Sequence, residues 1–118
     1  MKNMKNLLTS LLAAATVAAS AFSLASCSSA GAKDLDKVQG KGTLVVGMEC
    51  AYAPYNWAQT TENEYTVRVS DGMYADGYDV QVAKKIAEHL NVTLVIQPLE
   101  WDGLIPALNA NTIDLVIA

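Results

Sequence analysis

The sequence predicts an α/β fold on a parallel sheet of βαβαβ order, and two observations point there. Short β-branched or apolar runs recur at residues 43–47, 92–97 and 113–118. Between them apolar residues fall at helical spacing, first at Val82, Ile86 and Leu90 and then at Leu104, Ile105, Ala107 and Leu108. Strands that alternate with helices in this way give right-handed crossovers and parallel neighbours.

The chain opens with Lys2 and Lys5 ahead of an apolar run over 7–25, diluted by Thr9, Ser10, Thr16, Ser20 and Ser23. A basic start, an apolar centre and small residues before a cut site mark residues 1–26 as a secretory signal. A membrane-spanning helix would want an aromatic belt and a positive far flank, which this run lacks. Leu24, Ala25, Ser26 and Cys27 resemble the bacterial lipobox. That resemblance implies acylation of the Cys27 thiol, with diacylglyceryl (palmitate-type) chains, and cleavage that leaves Cys27 as the N-terminus. Two acyl chains, at about 0.8 kcal/mol per buried CH₂, hold a protein at a membrane surface. Residues 27–39 then read as a lipid-anchored linker, with 28–32 as a flexible tether. The expected location is extracytoplasmic, anchored to the outer face of the cell membrane or on its periplasmic side.

Composition narrows the function classes. A length of 118 residues fits one domain or one lobe of a larger one, and 52% hydrophobic residues exclude disorder. Two cysteines exclude a disulfide scaffold and a thiolate zinc site. The net charge is −4; setting residues 1–26 aside removes both Lys2 and Lys5 and deepens it to about −6. With no basic cluster, nucleic acid is not the expected partner. Cys50 reads as a small buried thiol, and His89, the single histidine, sits near a helix end where a cation suits the dipole. No Cys–His nucleophile, metal-ligand spacing or cofactor motif emerges, so neither metal nor cofactor is expected.

In the region 40–118 the elements follow in order. Gly40, Lys41 and Gly42 precede the first strand, whereas phosphate cradles follow one and open a helix. Residues 48–57 form an aromatic-rich loop, and 59–64 a polar, exposed stretch. Tyr65, Val67 and Val69 alternate with polar residues up to the turn dipeptide Asp71 and Gly72, which predicts a hairpin returning over 73–78. Asp79 is the expected N-cap of a helix from Val80, and Asn91 its stop. Asp102 is the expected cap of a short helix whose first turn Pro106 makes irregular.

Ligands of open α/β sheets bind beyond the carboxyl ends of strands. Those ends are the loop 48–57, the segment 98–102 and whatever follows Ala118. An apolar final strand without a third loop carries the expectation of a chain truncated within its first lobe. Tyr52 and Trp101 stand on the two loops present, placed to clamp a small molecule. Glu49, three residues before Tyr52, would favour a ligand bearing a cation or an amide donor. Tyr55 and Trp57 are assigned to packing beneath the loop and the hairpin. Glu49 and Asp102 carry no sign of tuned acid–base chemistry, so no catalytic residue is assigned.

The stretch from Gly77 to Leu90, with Gly77, Tyr78, Asp79 and Val80 at its head, resembles the signature of the bacterial solute-binding protein family 3. Residues 48–55 and the block Trp101, Asp102, Gly103, Leu104 fit the same family in the same order. Gln81 departs from it, standing where the family favours an acid. The resemblance covers residues 40–118 and implies the N-terminal part of a periplasmic-binding-protein-like (type II) lobe. It implies a two-lobe clamshell that captures an amino acid and delivers it to the permease and ATPase of an ABC importer, without catalysis. By it, Tyr52 and Trp101 match the two stacking positions and Glu49 an acidic position at the ligand's distal group. The groups that grip the α-carboxylate and α-amino group fall beyond Ala118. A dehydratase-like enzyme on the same fold and an amino-acid sensor domain are the alternatives.

Overall fold

The structure is a computed structural model, and it describes residues 30–118. The expected signal over 1–26 and the acylated Cys27 lie outside the described residues.

Helix α1 (Ala30–Lys41) leads into strand β1 (Thr43–Met48). It takes in most of the span expected as a linker, including the end of the tether. Short polar side chains and alanine are compatible with a helix once Val38 has a core to enter. Gly42, at φ 70°, ends α1 by donating its N–H to the Val38 carbonyl at 3.1 Å. A second anchor is Asp114, which accepts from Lys41 Nζ at 2.5 Å and from the Val45 N–H at 2.8 Å.

The main sheet is parallel with order β6-β1-β7, where β6 is Thr93–Pro98 and β7 is Leu115–Val116. Strand β1 pairs with β6 from Thr43↔Thr93 to Met48↔Pro98, and with β7 at Val46↔Leu115 and Gly47↔Val116. The predicted parallel βαβαβ sheet is what forms, with the first strand in the middle. The third strand, Leu115–Val116, is shorter than the 113–118 expected, and Ile113 ahead of it is buried. A Cβ on Gly47 would stand 2.6 Å from Ile113 Cδ1 and 3.2 Å from Leu104 Cδ2, so the bare glycine is what lets these side chains lie on the strand.

Helix α2 (Tyr78–Leu90) covers the other face. Val80, Ala83 and Ala87 are its buried row, and they join Leu44, Val46, Met48, Ala75 and Ile96 in the core. With Ala83 and Ala87 beside them, Val82, Ile86 and Leu90 were the row that the sequence put on that face. They lie half-buried on its flank, because the two alanines let the helix approach the sheet along the smaller row. Asn91 ends the helix in the left-handed conformation at φ 56°, as expected. Helix α3 (Trp101–Asn109) closes its first turn with an i→i−3 bond, Gly103 N–H to the Glu100 carbonyl at 2.8 Å, and continues through Pro106.

Between β1 and α2 lies a second, antiparallel sheet of order β2-β3-β5-β4. Its strands are β2 (Ala51–Tyr52), β3 (Asn56–Gln59), β4 (Val67–Ser70) and β5 (Met73–Asp76). The β4–β5 hairpin turns at Gly72, φ 71°, as the Asp-Gly pair predicts. The aromatic stretch 48–57, expected as a loop, instead folds into strands β2 and β3 around a cis Ala53–Pro54 bond.

Candidate functional site

Parallel pairing fixes where the candidate residues emerge. Because Met48 pairs with Pro98, the chain leaves β1 at Glu49 and β6 at Leu99 on the same edge of the sheet. The Leu99 N–H donates to the Met48 carbonyl at 3.0 Å and ties the two exits together. Glu49 is half-buried, and among the described residues its carboxylate has no hydrogen-bond or ion-pair partner. Tyr52 stands in β2 and Trp101 opens α3; each is 61% exposed, so most of each side chain faces solvent. Trp101 lines, with Leu104, Ile105, Val116 and Ala118, a small apolar cleft of about 140 Å³.

The rim also carries an aromatic contact that the sequence reading did not foresee. Tyr52 stacks on Tyr55, with ring centroids 5.6 Å apart and planes 14° from parallel. Tyr55 was assigned to packing beneath the loop, yet it is half exposed, because its backbone and not its ring does the packing. Trp57 behaves as assigned: half-buried in β3, with its ring edge against Gly77.

The residues that hold this rim were missed in the sequence. Asn56, almost wholly buried, accepts the Cys50 N–H on Oδ1 at 2.8 Å and donates from Nδ2 to Asp79 Oδ2 at 2.7 Å. Asp79 is therefore not the helix cap; it lies buried in the first turn of α2 as the acceptor for Asn56. The N-cap is Gly77, at φ 120°, a conformation open to glycine. The first amides of α2 are satisfied by the neighbouring loop: Tyr78 N–H donates to the Pro54 carbonyl at 3.3 Å and Asp79 N–H to the Tyr55 carbonyl at 2.9 Å. A Cβ on Gly77 would collide with that Tyr55 carbonyl. The signal available in the sequence was the glycine ahead of an apolar-periodic segment; the lone Asn in an aromatic run carries none.

Asp102 is not a cap either. Glu100 holds that position without a side-chain bond, and Asp102 is exposed in the first turn, where its charge suits the helix dipole. Cys50 is the buried thiol expected, and burial pushes it up to about 11, which keeps it protonated and unreactive at neutral pH. Among the described residues no group of His, Cys, Asp and Glu could hold a metal ion.

A three-stranded parallel sheet with helices on its faces is an open α/β lobe, the class of fold whose ligands bind beyond the carboxyl ends of the strands. Residues 44–118 match the bacterial extracellular solute-binding proteins, family 3, and the chain belongs to that family. It is similar to the L-cystine-binding protein TcyJ of Escherichia coli (strain K12), at 35% identity over 83 residues, 70% of this chain and 27% of that protein. It also resembles the arginine-bound form of domain 1 of TmArgBP from T. maritima, with TM-score 0.56, 33% identity, and 70% of this chain and 56% of that one covered. The cyclohexadienyl dehydratase of Pseudomonas aeruginosa (strain PAO1) is 29% identical over 84 residues, 71% of this chain and 27% of that enzyme. The chain thus spans about a quarter of the length of the cystine-binding relative. Its fold is that of periplasmic amino-acid-binding domains.

Proposed function

We propose that the chain is part of the extracytoplasmic substrate-binding component of an ABC importer, which captures a polar or cationic amino acid and hands it to the membrane permease. Residues 40–118 are the N-terminal part of its first lobe, 1–26 its export signal, and acylated Cys27 its tether, joined to the lobe through the span 27–39, most of which is helix α1. The ligand lies over Tyr52 and Trp101 with its distal group toward Glu49, and closure against a second lobe follows because the ligand touches both.

One observation supports this reading: the Met48↔Pro98 register puts the chain exits that lead to Glu49 and Tyr52 and to Trp101 on one edge of a parallel sheet, with both rings exposed and, among the described residues, no partner on the Glu49 carboxylate. The cystine- and arginine-binding relatives agree with an amino-acid ligand. Calorimetric titration of the full-length protein with the proteinogenic amino acids and L-cystine tests it. Tyr52→Ala and Trp101→Ala should each weaken binding about tenfold, and Glu49→Ala should demote arginine, lysine, histidine and the amides in the ranking. An unchanged ranking in Glu49→Ala removes that carboxylate from the site. The dehydratase relative sets the second arm. A bound ligand recovered chemically intact supports transport, while turnover assigns an enzyme. Palmitate labelling that Cys27→Ser abolishes tests the anchor.

A further inference from the structure

We infer that Tyr55 is a positioning residue, which fixes the plane of the Tyr52 ring on the rim. The inference rests on Tyr52 lining the ligand site, as proposed above. Strand β2 holds Tyr52 through only two paired positions, Ala51↔Trp57 and Tyr52↔Asn56, and leaves its ring 61% exposed. A tyrosine in so short a strand has no packing from the core to select one rotamer.

Tyr55 supplies that selection from the outside. Its own backbone is fixed on three sides. Its N–H donates to the Tyr52 carbonyl at 2.9 Å, and its carbonyl accepts the Asp79 N–H at 2.9 Å. The next residue, Asn56, is buried and bonded to both Cys50 and Asp79. Gly77 lets helix α2 come close enough for this, since any Cβ there would meet the Tyr55 carbonyl. The ring carried on this anchored backbone is 49% exposed, so core burial does not explain where it lies. It lies 5.6 Å from the Tyr52 ring and 14° from parallel, an offset stack that restricts its neighbour's side-chain torsions. The order of support runs from the buried end of α2 through Asn56 and Tyr55 to Tyr52. Tyr55 acts on the ligand through Tyr52 and needs no ligand contact of its own.

The test uses the full-length protein with L-arginine and L-cystine as probes, in wild type, Y52A, Y55A, Y55F and Y52A/Y55A. Without ligand, three-bond NMR couplings that report Tyr52 χ1 should show one rotamer in wild type and Y55F, and averaging in Y55A. With ligand, Y55A should bind about three- to tenfold more weakly and Y55F close to wild type, since the stack needs the ring and not the hydroxyl. In the Y52A background, Y55A should change affinity less than twofold, the non-additivity of residues that act as a unit. A single Tyr52 rotamer retained in Y55A overturns the inference, as does a full additive loss in the double variant. If wild type binds neither probe while the Y55A rotamer averages, the ring lock stands and the proposed ligand site fails.

Discussion

The two exits on the carboxyl edge of the parallel sheet are built differently. The one after β1 is cross-tied: Asn56 spans Cys50 and Asp79, two loop carbonyls cap α2, and Tyr52 leans on Tyr55. The one after β6 is lightly held, by the Leu99 N–H bond to Met48 and a short helix whose cap residue makes no side-chain bond. Trp101 has no stacking partner among the described residues. One ring thus leans on a neighbour whose backbone is anchored, and the other meets only the side chains of a small apolar cleft. Ordering one side of a site before the ligand arrives lowers the entropy that binding must overcome.

The sharpest way to break this contrast is Gly77→Ala. At φ 120° and with the Tyr55 carbonyl in the way, a methyl group should cost more than about 3 kcal/mol in a urea melt of the full-length protein. A loss under about 1 kcal/mol would show that the loop yields easily and that the tie is not rigid. Next comes Asn56→Ala, which strands the Cys50 amide and the buried Asp79 carboxylate. The expected loss is about 2–3 kcal/mol, with the Tyr52–Tyr55 stack released.

The buried thiol gives a pH readout of the same tied exit. Burial raises Cys50 from its ordinary 9.0 to about 11, so between those values the folded state holds a proton that the unfolded state has released. Stability from this group is present below pH 9 and is lost as the pH rises towards 11, bounded at roughly 2–3 kcal/mol. Melting temperatures over that window should fall more steeply for wild type than for Cys50→Ala.

The smallest effect belongs to the lightly held exit. Gly103→Ala meets nothing within 4 Å and lies in α3, so it should stabilise the protein by about 0.5–1 kcal/mol. Destabilisation there would mean that this exit is as closely packed as the other.

What the sequence made legible follows the same division. The strands, the parallel order, the 67–76 hairpin and the stop at Asn91 all rest on periodicity and turn chemistry, which are local. Asp79 and Asp102 were misread as caps because an acid at a helix start serves equally well as a cap, a dipole partner or a buried acceptor. Only the neighbouring chain decides among these, through Asn56 for Asp79 and nothing for Asp102. Tyr55 was misplaced because its role depends on which of its atoms is anchored. Helix α1 escaped notice because its anchors, Val38 and the Lys41–Asp114 pair, are contacts from the far end of the chain. Of the candidate site, Glu49, Tyr52 and Trp101 could be named from strand ends alone, while the scaffold behind them could not.

The central place of β1 in the main sheet has a consequence for biosynthesis. Its pairing partners, beginning at Thr93 and Leu115, come much later in the sequence, so this strand leaves the ribosome well before either neighbour is made. Pairings this distant close slowly. A nascent chain built this way stays extended for longer, the condition in which a polypeptide can still be threaded through a translocation pore.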